Sequence, residues 1–293
     1  MIDLGGSANV PFGRFRNRIE VFDIIPGTRQ LTIPTGWTKI RVAVVGGGGG
    51  GRNRSGRDHG YGGGGGGGGY AEIQLNVVAG QTYNYTVGAG GDFNQDGGTT
   101  SFGSTLSATG GRTATDNTTV ASKGGAGGVG IGGSINTSGG TGGNGFDSIN
   151  GGGGGGGASG SRYGNGGAGG AGSAYVDNTV YGGVGGSWAN IPKPLLYDDG
   201  WGLGITPYDL PLDTELFTQF ATQSVTPSIR FSRVGEGSSD NKIVVNIGGG
   251  SCASRANTTS NVQRGGIGGG GGGGYNTYTG RGGPGAVIVE VLS

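Results

Sequence analysis

The sequence lacks most of the residues from which disulfides, metal centres and catalytic triads are built. It holds one cysteine, Cys252, and one histidine, His59, among 293 residues. A lone cysteine cannot form an intrachain disulfide, and neither residue has a partner at the spacing of a zinc site. The aspartates are scattered through polar loops, in no pairing that indicates catalysis. We expect no enzymatic activity and no cofactor, although hydrolysis of a polysaccharide, which needs only two carboxylates, stays open from the sequence.

The sequence also lacks an excess of charge and any long apolar run. Lys and Arg number 19 and Asp and Glu number 18, which gives a net charge of +1. No global field therefore attracts nucleic acid or an anionic membrane. No segment approaches the roughly 20 apolar residues of a membrane helix, and the N-terminus has no apolar stretch typical of a signal peptide. We expect a chain that is not secreted, and that lysis would release as part of a particle if it acts outside the cell that made it.

Glycine is what the sequence has in excess, with 81 residues. Average usage is about 7%, and here glycine runs recur from residue 46 to residue 285, separated by short polar loops. A flexible linker is one interpretation, because glycine loses more backbone entropy on folding than any other residue. The similar run lengths and the apolar strand after the last run favour an ordered alternative. This is a bundle of polyglycine-II helices, with about three residues per turn, whose N–H and C=O groups bond laterally.

Short segments of strand character flank the glycine runs. In TKIRVAVV, Ile40, Val42 and Val44 recur with period two, which predicts a strand with one buried face. Similar segments are IEVFDI, RQLTIP, AEIQLNVV, TYNYTV, TTSFGSTLSA and, at the end of the sequence, AVIVEVLS. We predict an all-β fold with a small β-sandwich. Its predicted domains are a sandwich of residues 19–111 and 286–293 and a polyglycine-II bundle of residues 112–186 and 248–285, joined by the runs at 46–69.

Residues 187–247 differ from their surroundings in composition. Glycine is sparse there, and aromatic residues such as Trp188 and Trp201 are concentrated. Asp213 or Thr214 can cap a short helix, and SIRFSRV and KIVVNI have the pattern of a hairpin. We predict a small inserted subdomain with its own hydrophobic cluster.

Three motifs have both a functional and a structural interpretation. GGNGFDSIN fits the calcium nonapeptide with Asp147 as the carboxylate ligand, but such sites share ligands between stacked repeats and this match is solitary. QRGG at 263–266 and GRGG at 280–283 match RNA-binding segments, but two isolated copies in a neutral chain favour structural turns. GxGxxG matches lack the strand–turn–helix context of a nucleotide site. We expect no metal, with Asp147 as the one residue to test, and no nucleic acid partner.

Four segments taken together resemble a known family. TIPTGWTKIRVAVVGGGGGG, GYAEIQLNVVAGQTYNYTVGAGG, GGTTSFGSTLSATGG and GGPGAVIVEVLS are similar to the glycine-rich domain at the ends of many phage tail fibres. The glycine runs also resemble those of T-even-type phage adhesins. The resemblance implies a virion protein of the phage tail, assembled in the host cytoplasm. Its implied partners are other tail or fibre proteins and a bacterial outer-membrane protein or lipopolysaccharide, and a homo-oligomer stays open.

Candidate contact residues lie in loops that we expect at the end of the bundle remote from the sandwich. If each glycine run crosses the bundle once, residues 52–61, 112–123 and 275–279 lie at that end. Arginine pairs with phosphate or carboxylate, and tyrosine makes contacts at little entropic cost. The candidate receptor-binding residues are Arg52, Arg54, Arg57, Asp58, His59, Tyr61, Tyr275 and Tyr278. An ordinary solvated turn is the alternative for these loops.

Residues 1–18 form the candidate segment for docking onto another virion protein. Its apolar and basic candidates are Phe12, Arg14, Phe15, Arg16 and Arg18. Two other functions stay open. One is a purely structural virion component, such as a fibre adaptor or a capsid decoration, and the other is a cellular glycine-rich matrix or RNA-binding protein.

Overall fold

The computed structural model describes residues 18–54, 61–115, 122–146, 152–172, 175–176, 179–180, 264–275 and 280–293. Several sequence predictions fall on other residues. The docking residues Phe12, Arg14, Phe15 and Arg16, the inserted subdomain at 187–247 and the calcium candidate Asp147 all lie outside the described residues.

The described chain is all-β. Its strands are β1 (Arg18–Asp23), β2 (Gly27–Thr32), β3 (Lys39–Val45), β4 (Asn53–Arg54), β5 (Tyr70–Asn76), β6 (Thr82–Val87), β7 (Thr100–Phe102), β8 (Leu106–Ala108), β9 (Gly130–Ile131), β10 (Ile135–Thr137), β11 (Tyr175–Val176), β12 (Thr179–Val180), β13 (Gly274–Tyr275) and β14 (Ala286–Val291). The strands predicted from TKIRVAVV and AVIVEVLS are confirmed as β3 and β14.

Two five-stranded antiparallel sheets form the sandwich. The first sheet has the order β1-β14-β3-β5-β10, and the second sheet has the order β2-β6-β7-β8-β9. Strand β14 pairs with β3 through Val289 and Val42, and with β1 through Val289 and Val21. The last strand therefore lies between two N-terminal strands. The short strands β9 and β10, which the sequence did not predict, extend one edge of each sheet.

The hydrophobic core lies between the two sheets. The period-two residues Ile40, Val42 and Val44 of β3 are each 0% exposed, as are Val287 and Val289 of β14. The second sheet contributes buried residues from three strands, namely Tyr85, Val87, Phe102, Leu106 and Ala108. Alternation along β3 and β14 thus points one set of side chains into the sandwich, as the sequence pattern predicts.

The other face of the first sheet is also covered. Val45 and Ala286 pack there against Ile267, which comes from the glycine-rich part of the chain and is 0% exposed. The C-terminal half of β3 is therefore buried on both faces, whereas its sequence pattern predicts one buried face. Burial of the second face results from docking of the glycine-rich part onto the sheet.

Two carboxylates are buried on this covered face. Glu72 is 5% exposed and Glu290 is 3% exposed. Arg41 Nη2 contacts Glu290 Oε2, and Arg162 Nη2 lies 3.1 Å from Glu72 Oε1. Tyr70 donates a hydrogen bond from Oη to Glu72 Oε2. Paired charges are the form in which carboxylates are tolerated inside proteins.

Hydrogen-bonded glycine segments form the second part of the molecule. These segments, here called the glycine core, are residues 46–52, 61–69, 88–98, 109–115, 122–129, 138–146, 152–160, 164–172, 265–274 and 280–285. Gly46 donates to Gly69 and Arg52 donates to Gly63, so these two segments run antiparallel. The glycine core begins where β3 ends and returns to the sandwich where β14 starts.

Candidate functional site

The hydrogen bonds of the glycine core repeat every third residue and reach three neighbouring segments. Gly46 and Gly49 donate to Gly69 and Gly66 at 3.0 and 2.9 Å. The next residues, Gly47 and Gly50, donate to Gly98 and Gln95 at 3.0 and 2.9 Å. Gly48 and Gly51 donate to Gly283 and Gly280, each at 2.9 Å. One segment is thereby tied to three others, and its amide groups are paired although it belongs to no sheet.

The close approach of these segments requires glycine. A Cβ atom on Gly65 would lie far inside van der Waals contact with the carbonyl oxygen of Gly49, and one on Gly48 would overlap that of Gly269. Backbone surrounds both positions, so no flexible side chain could move away. The glycine core is consequently a tightly packed support whose sequence is fixed by backbone contacts.

Several connecting segments meet at the end of the glycine core remote from the sandwich, here called the distal end. Strands β4 and β13 pair in parallel there, with Asn53 opposite Gly274 and Arg54 opposite Tyr275. Arg52 donates from its backbone N to Gly63 O at 2.9 Å. The structure thus brings the segments that lead into 55–60 and 276–279 side by side.

Two further connections end at the same place. Thr115 donates to Lys123 O at 3.0 Å, and Gly145 donates to Ser122 O at 3.0 Å. Tyr61 donates to Phe146 O at 3.0 Å, which joins these segments to the one that follows residue 60. Residues 116–121 and 147–151, which follow two of these glycine-core segments in the sequence, lie outside the described residues.

The sequence-predicted contact residues divide into three groups. Tyr61 is 6% exposed, so it packs within the distal end and offers little surface to a ligand. Arg52 is half-buried, and Arg54 and Tyr275 are placed by their backbones in β4 and β13. Arg57, Asp58, His59 and Tyr278 lie outside the described residues.

The docking candidate Arg18 lies at the opposite pole of the molecule. It pairs with Val291 at the end of β14, while Asp23 pairs with Val287 next to the glycine core. The chain therefore enters the first sheet at the end farthest from the glycine core. Residues 1–17 precede that point.

Charged residues also cluster on one side of the glycine core, near the distal end. Arg112 Nη1 lies 2.5 Å from Asp96 Oδ2, and Thr113 donates from its backbone N to Asp96 Oδ1 at 2.8 Å. Burial raises the pKa of Asp96, but the Thr113 hydrogen bond and then Arg112 outweigh it, so the pKa is lowered. Arg281 Nε lies 2.8 Å from Asp92 Oδ1 on the same side.

Neither a metal centre nor a membrane helix is found in the part of the chain that the structure describes. No three His, Cys, Asp or Glu residues there are grouped closely enough to hold an ion. No helix within those residues has the length and apolar character needed to cross a bilayer.

A β-sandwich whose strands lead directly into a hydrogen-bonded glycine core defines a glycine-rich all-β domain. The sequence model of the family described as Glycine-rich domain matches residues 24–200. Since this match covers more than half of the chain, the protein belongs to that family. No curated protein matches the chain. The family match ends before residues 264–293, which nevertheless supply two segments of the glycine core and strand β14.

Proposed function

We propose that this protein is a virion component of a bacteriophage, located at the tip of a tail fibre, and that it recognises a bacterial surface receptor through its distal end. The observation that carries the proposal is that two segments lie at opposite ends of the molecule. The segment with the docking candidates joins the sandwich at Arg18, and the connections that lead into 55–60 and 276–279 leave from β4 and β13 at the other pole. Attachment and recognition can then occur at opposite ends.

The glycine core suits the support of a recognition surface. We propose that its segments are polyglycine-II helices, because three residues per turn explains bonds that repeat every third residue and point to three neighbours. A support held by backbone bonds leaves the connecting loops free to vary in sequence, since no loop side chain is needed for the core.

The receptor chemistry follows from the loop that β4 leads into. Residues 55–60, SGRDHG, carry Arg57, Asp58 and His59 and are preceded by Arg54. Arginine pairs with phosphate and carboxylate groups in bidentate geometry. Lipopolysaccharide offers both groups, and an outer-membrane protein offers carboxylates. Either class of receptor fits this loop.

Adsorption to host cells tests the receptor role. Residues 55–60 are replaced by a Ser-Gly sequence of equal length, which spares the packed Tyr61 and the hydrogen-bonded Arg52. We expect particles with this change to adsorb at least about tenfold more slowly, because a few interface residues carry most of the binding energy. Val78→Asp is the control, since Val78 is 72% exposed and lies at the sandwich pole. Normal adsorption of the loop variant would contradict a contact role.

Location within the particle tests the virion role separately. Antibodies against the protein, viewed by electron microscopy, are expected to label the fibre tip. Label on the capsid or inside the tail would overturn the receptor role and favour the purely structural alternative, in which both poles contact other particle proteins. Absence from purified particles would contradict both.

A further inference from the structure

The two RGG segments of the sequence lie side by side in the structure. Arg264 and Arg281 form an isolated parallel bridge, and Gly265 donates from its backbone N to Arg281 O at 2.9 Å. A tight turn sets this pairing, because Gly269 donates to Gly266 O at 2.8 Å and Gly268 has φ +72°. The turn reverses the chain after Arg264, so that two arginines distant in sequence reach the same level of the glycine core.

Arg281 is held in place on two sides. Its Cζ lies 5.0 Å from the centroid of the Phe93 ring, and its Nε lies 2.8 Å from Asp92 Oδ1. The buried Nε–H faces this carboxylate, so the donors left to an external ligand are those of the two Nη groups. Its side chain is 31% exposed. A fixed guanidinium with unused donors is suited to a planar oxyanion.

Arg264 adds a second positive charge that the described residues do not balance. The side chain of Arg264 is half-buried, and none of the ion pairs formed among the described residues includes it. Burial first, and then the charge of Arg281, lower the pKa of Arg264, while Asp92 acts in the opposite direction. Among the described residues, the cluster holds two arginines and one carboxylate, that of Asp92.

We propose that Arg264 and Arg281 together bind the carboxylate or phosphate group of an acidic saccharide. A single oxyanion bound between the two guanidinium groups adds a second negative charge to the cluster. It also accepts hydrogen bonds from N–H groups that have no acceptor among the described residues. This site lies on the side of the glycine core, beside Asp92 and Phe93, and it does not depend on the receptor role of the distal end.

A saccharide fits this site better than nucleic acid. Binding of a nucleic acid strand draws on many phosphate contacts and on bases stacked against aromatic rings. Here two arginines act alone in a chain of net charge +1, and Arg281 covers the Phe93 ring. The carboxylate of Asp92 also repels a chain of closely spaced phosphates. One isolated acidic group meets less of that repulsion than a row of phosphates.

Titration with small probes tests the site directly. Glucuronic acid, inorganic phosphate, glucose and poly-U RNA are added separately while the arginine Nε–Hε resonances are followed by NMR. We expect glucuronic acid and phosphate to shift the Arg281 resonance with dissociation constants on the order of 1 mM, and glucose to leave it unchanged. No shift with either anion would overturn the proposal. Binding of poly-U far tighter than that of glucuronic acid oligosaccharides would overturn the choice of a saccharide.

Variants separate binding from structure. Arg264→Gln is expected to raise the dissociation constant for glucuronic acid at least about tenfold, because half of the site is lost. Without ligand, the melting temperature of Arg264→Gln should be no lower than that of the wild type, because the change removes the repulsion between Arg264 and Arg281. A lower melting temperature would indicate a structural role for Arg264 and would count against the proposal. Arg264→Lys should restore binding in part. Arg112→Gln is the matched control, because Arg112 lies on the same side of the glycine core but is neither of the two proposed ligand-binding arginines. The dissociation constant of this variant for glucuronic acid should equal that of the wild type.

Discussion

Tyr85 donates a hydrogen bond from Oη to Asp23 Oδ2, 3.0 Å away, and this bond joins the two sheets of the sandwich. Tyr85 belongs to β6 in the second sheet and Asp23 to β1 in the first. Burial, followed by the charge of Asp23 and the hydrogen bond to it, raises the pKa of Tyr85 to about 12. Arg29, which lies 2.9 Å from Asp23, opposes this shift.

Stability is expected to fall at alkaline pH because of this tyrosine. The folded pKa lies above the ordinary value of 10.0, so the stabilisation is complete below pH 10 and is lost as the pH rises towards 12. One such group lowers the free energy of unfolding by up to about 1.4 kcal/mol per pH unit. Tyr85→Phe should remove this part of the pH dependence while costing about 1 kcal/mol at pH 8 through the lost hydrogen bond.

Urea unfolding at pH 8 and at pH 11 measures the effect. Tyr83→Phe, two residues earlier on the same strand, is the matched control and should keep the wild-type pH dependence. Burial, and then the charge of Glu72, raise the pKa of Tyr70 as well, so some alkaline loss remains in both variants. An equal fall in stability for Tyr85→Phe and the wild type would contradict the assignment.

Substitution of a glycine in the glycine core should strongly destabilise the folded protein. A Cβ on Gly65 would overlap the carbonyl group of Gly49, which is backbone and cannot move aside. We expect Gly65→Ala to cost more than about 4 kcal/mol, in the range of severe core disruption. Gly80→Ala is the control, because Gly80 has φ +81° but nothing within 4 Å of the added Cβ, and it should cost only about 1–2 kcal/mol. Circular dichroism with heating compares the two, and similar melting temperatures would show that close approach is not the constraint.

The ion pair of Arg162 with Glu72 should contribute more than a surface pair. Glu72 is 7% exposed at its side chain and Arg162 is 32% exposed, whereas Asp96 and Arg112 are 41% and 69% exposed. Arg162→Met leaves a buried carboxylate short of one partner, which costs about 1–3 kcal/mol. Arg112→Met, a matched change at the exposed pair, should cost less than about 1 kcal/mol. Chemical denaturation measures both, and equal losses would contradict the importance of burial.

Ile267 should control how firmly the glycine core is attached to the first sheet. Its side chain is fully buried against Val45 and Ala286. We expect Ile267→Ala to cost about 2–5 kcal/mol and to increase hydrogen exchange at residues 268–271 more than at β6. Ile131→Ala is the control, since Ile131 is 49% exposed and its loss creates no buried cavity. An equal increase in hydrogen exchange at residues 268–271 and at β6 would show that the glycine core and the sandwich open together.

The sequence predicted the fold where the information is local. Period-two alternation placed Ile40, Val42 and Val44 in the core because alternation is a property of one strand. It missed β9 and β10, since Gly130–Ile131 and Ile135–Thr137 are too short to show a period. Burial of Glu72 and Glu290 was also missed. Their arginine partners are Arg41 on β3 and Arg162 in a turn distant in sequence. No local sequence pattern predicts these contacts.

The same distinction applies to the candidate sites. Polar loops between glycine runs indicated that 52–61 and 275–279 lie at the same end of the bundle, and the structure pairs the described residues that lead into them, Arg54 and Tyr275. The side-by-side position of Arg264 and Arg281 could not be predicted, because it depends on the direction of a turn at Gly268. The two RGG segments were visible in the sequence, but their spatial relation was not.

The position of β14 between β1 and β3 has a consequence for synthesis on the ribosome. Val289 of β14 pairs with both Val21 and Val42, so the first sheet lacks its middle until residues 286–291 emerge. Contacts between residues so far apart in sequence form slowly. A nascent chain would hold β1 and β3 with unpaired edges, which are prone to aggregation. The nascent chain is therefore expected to be most prone to aggregation until residues 286–291 have been synthesised and have paired with both strands.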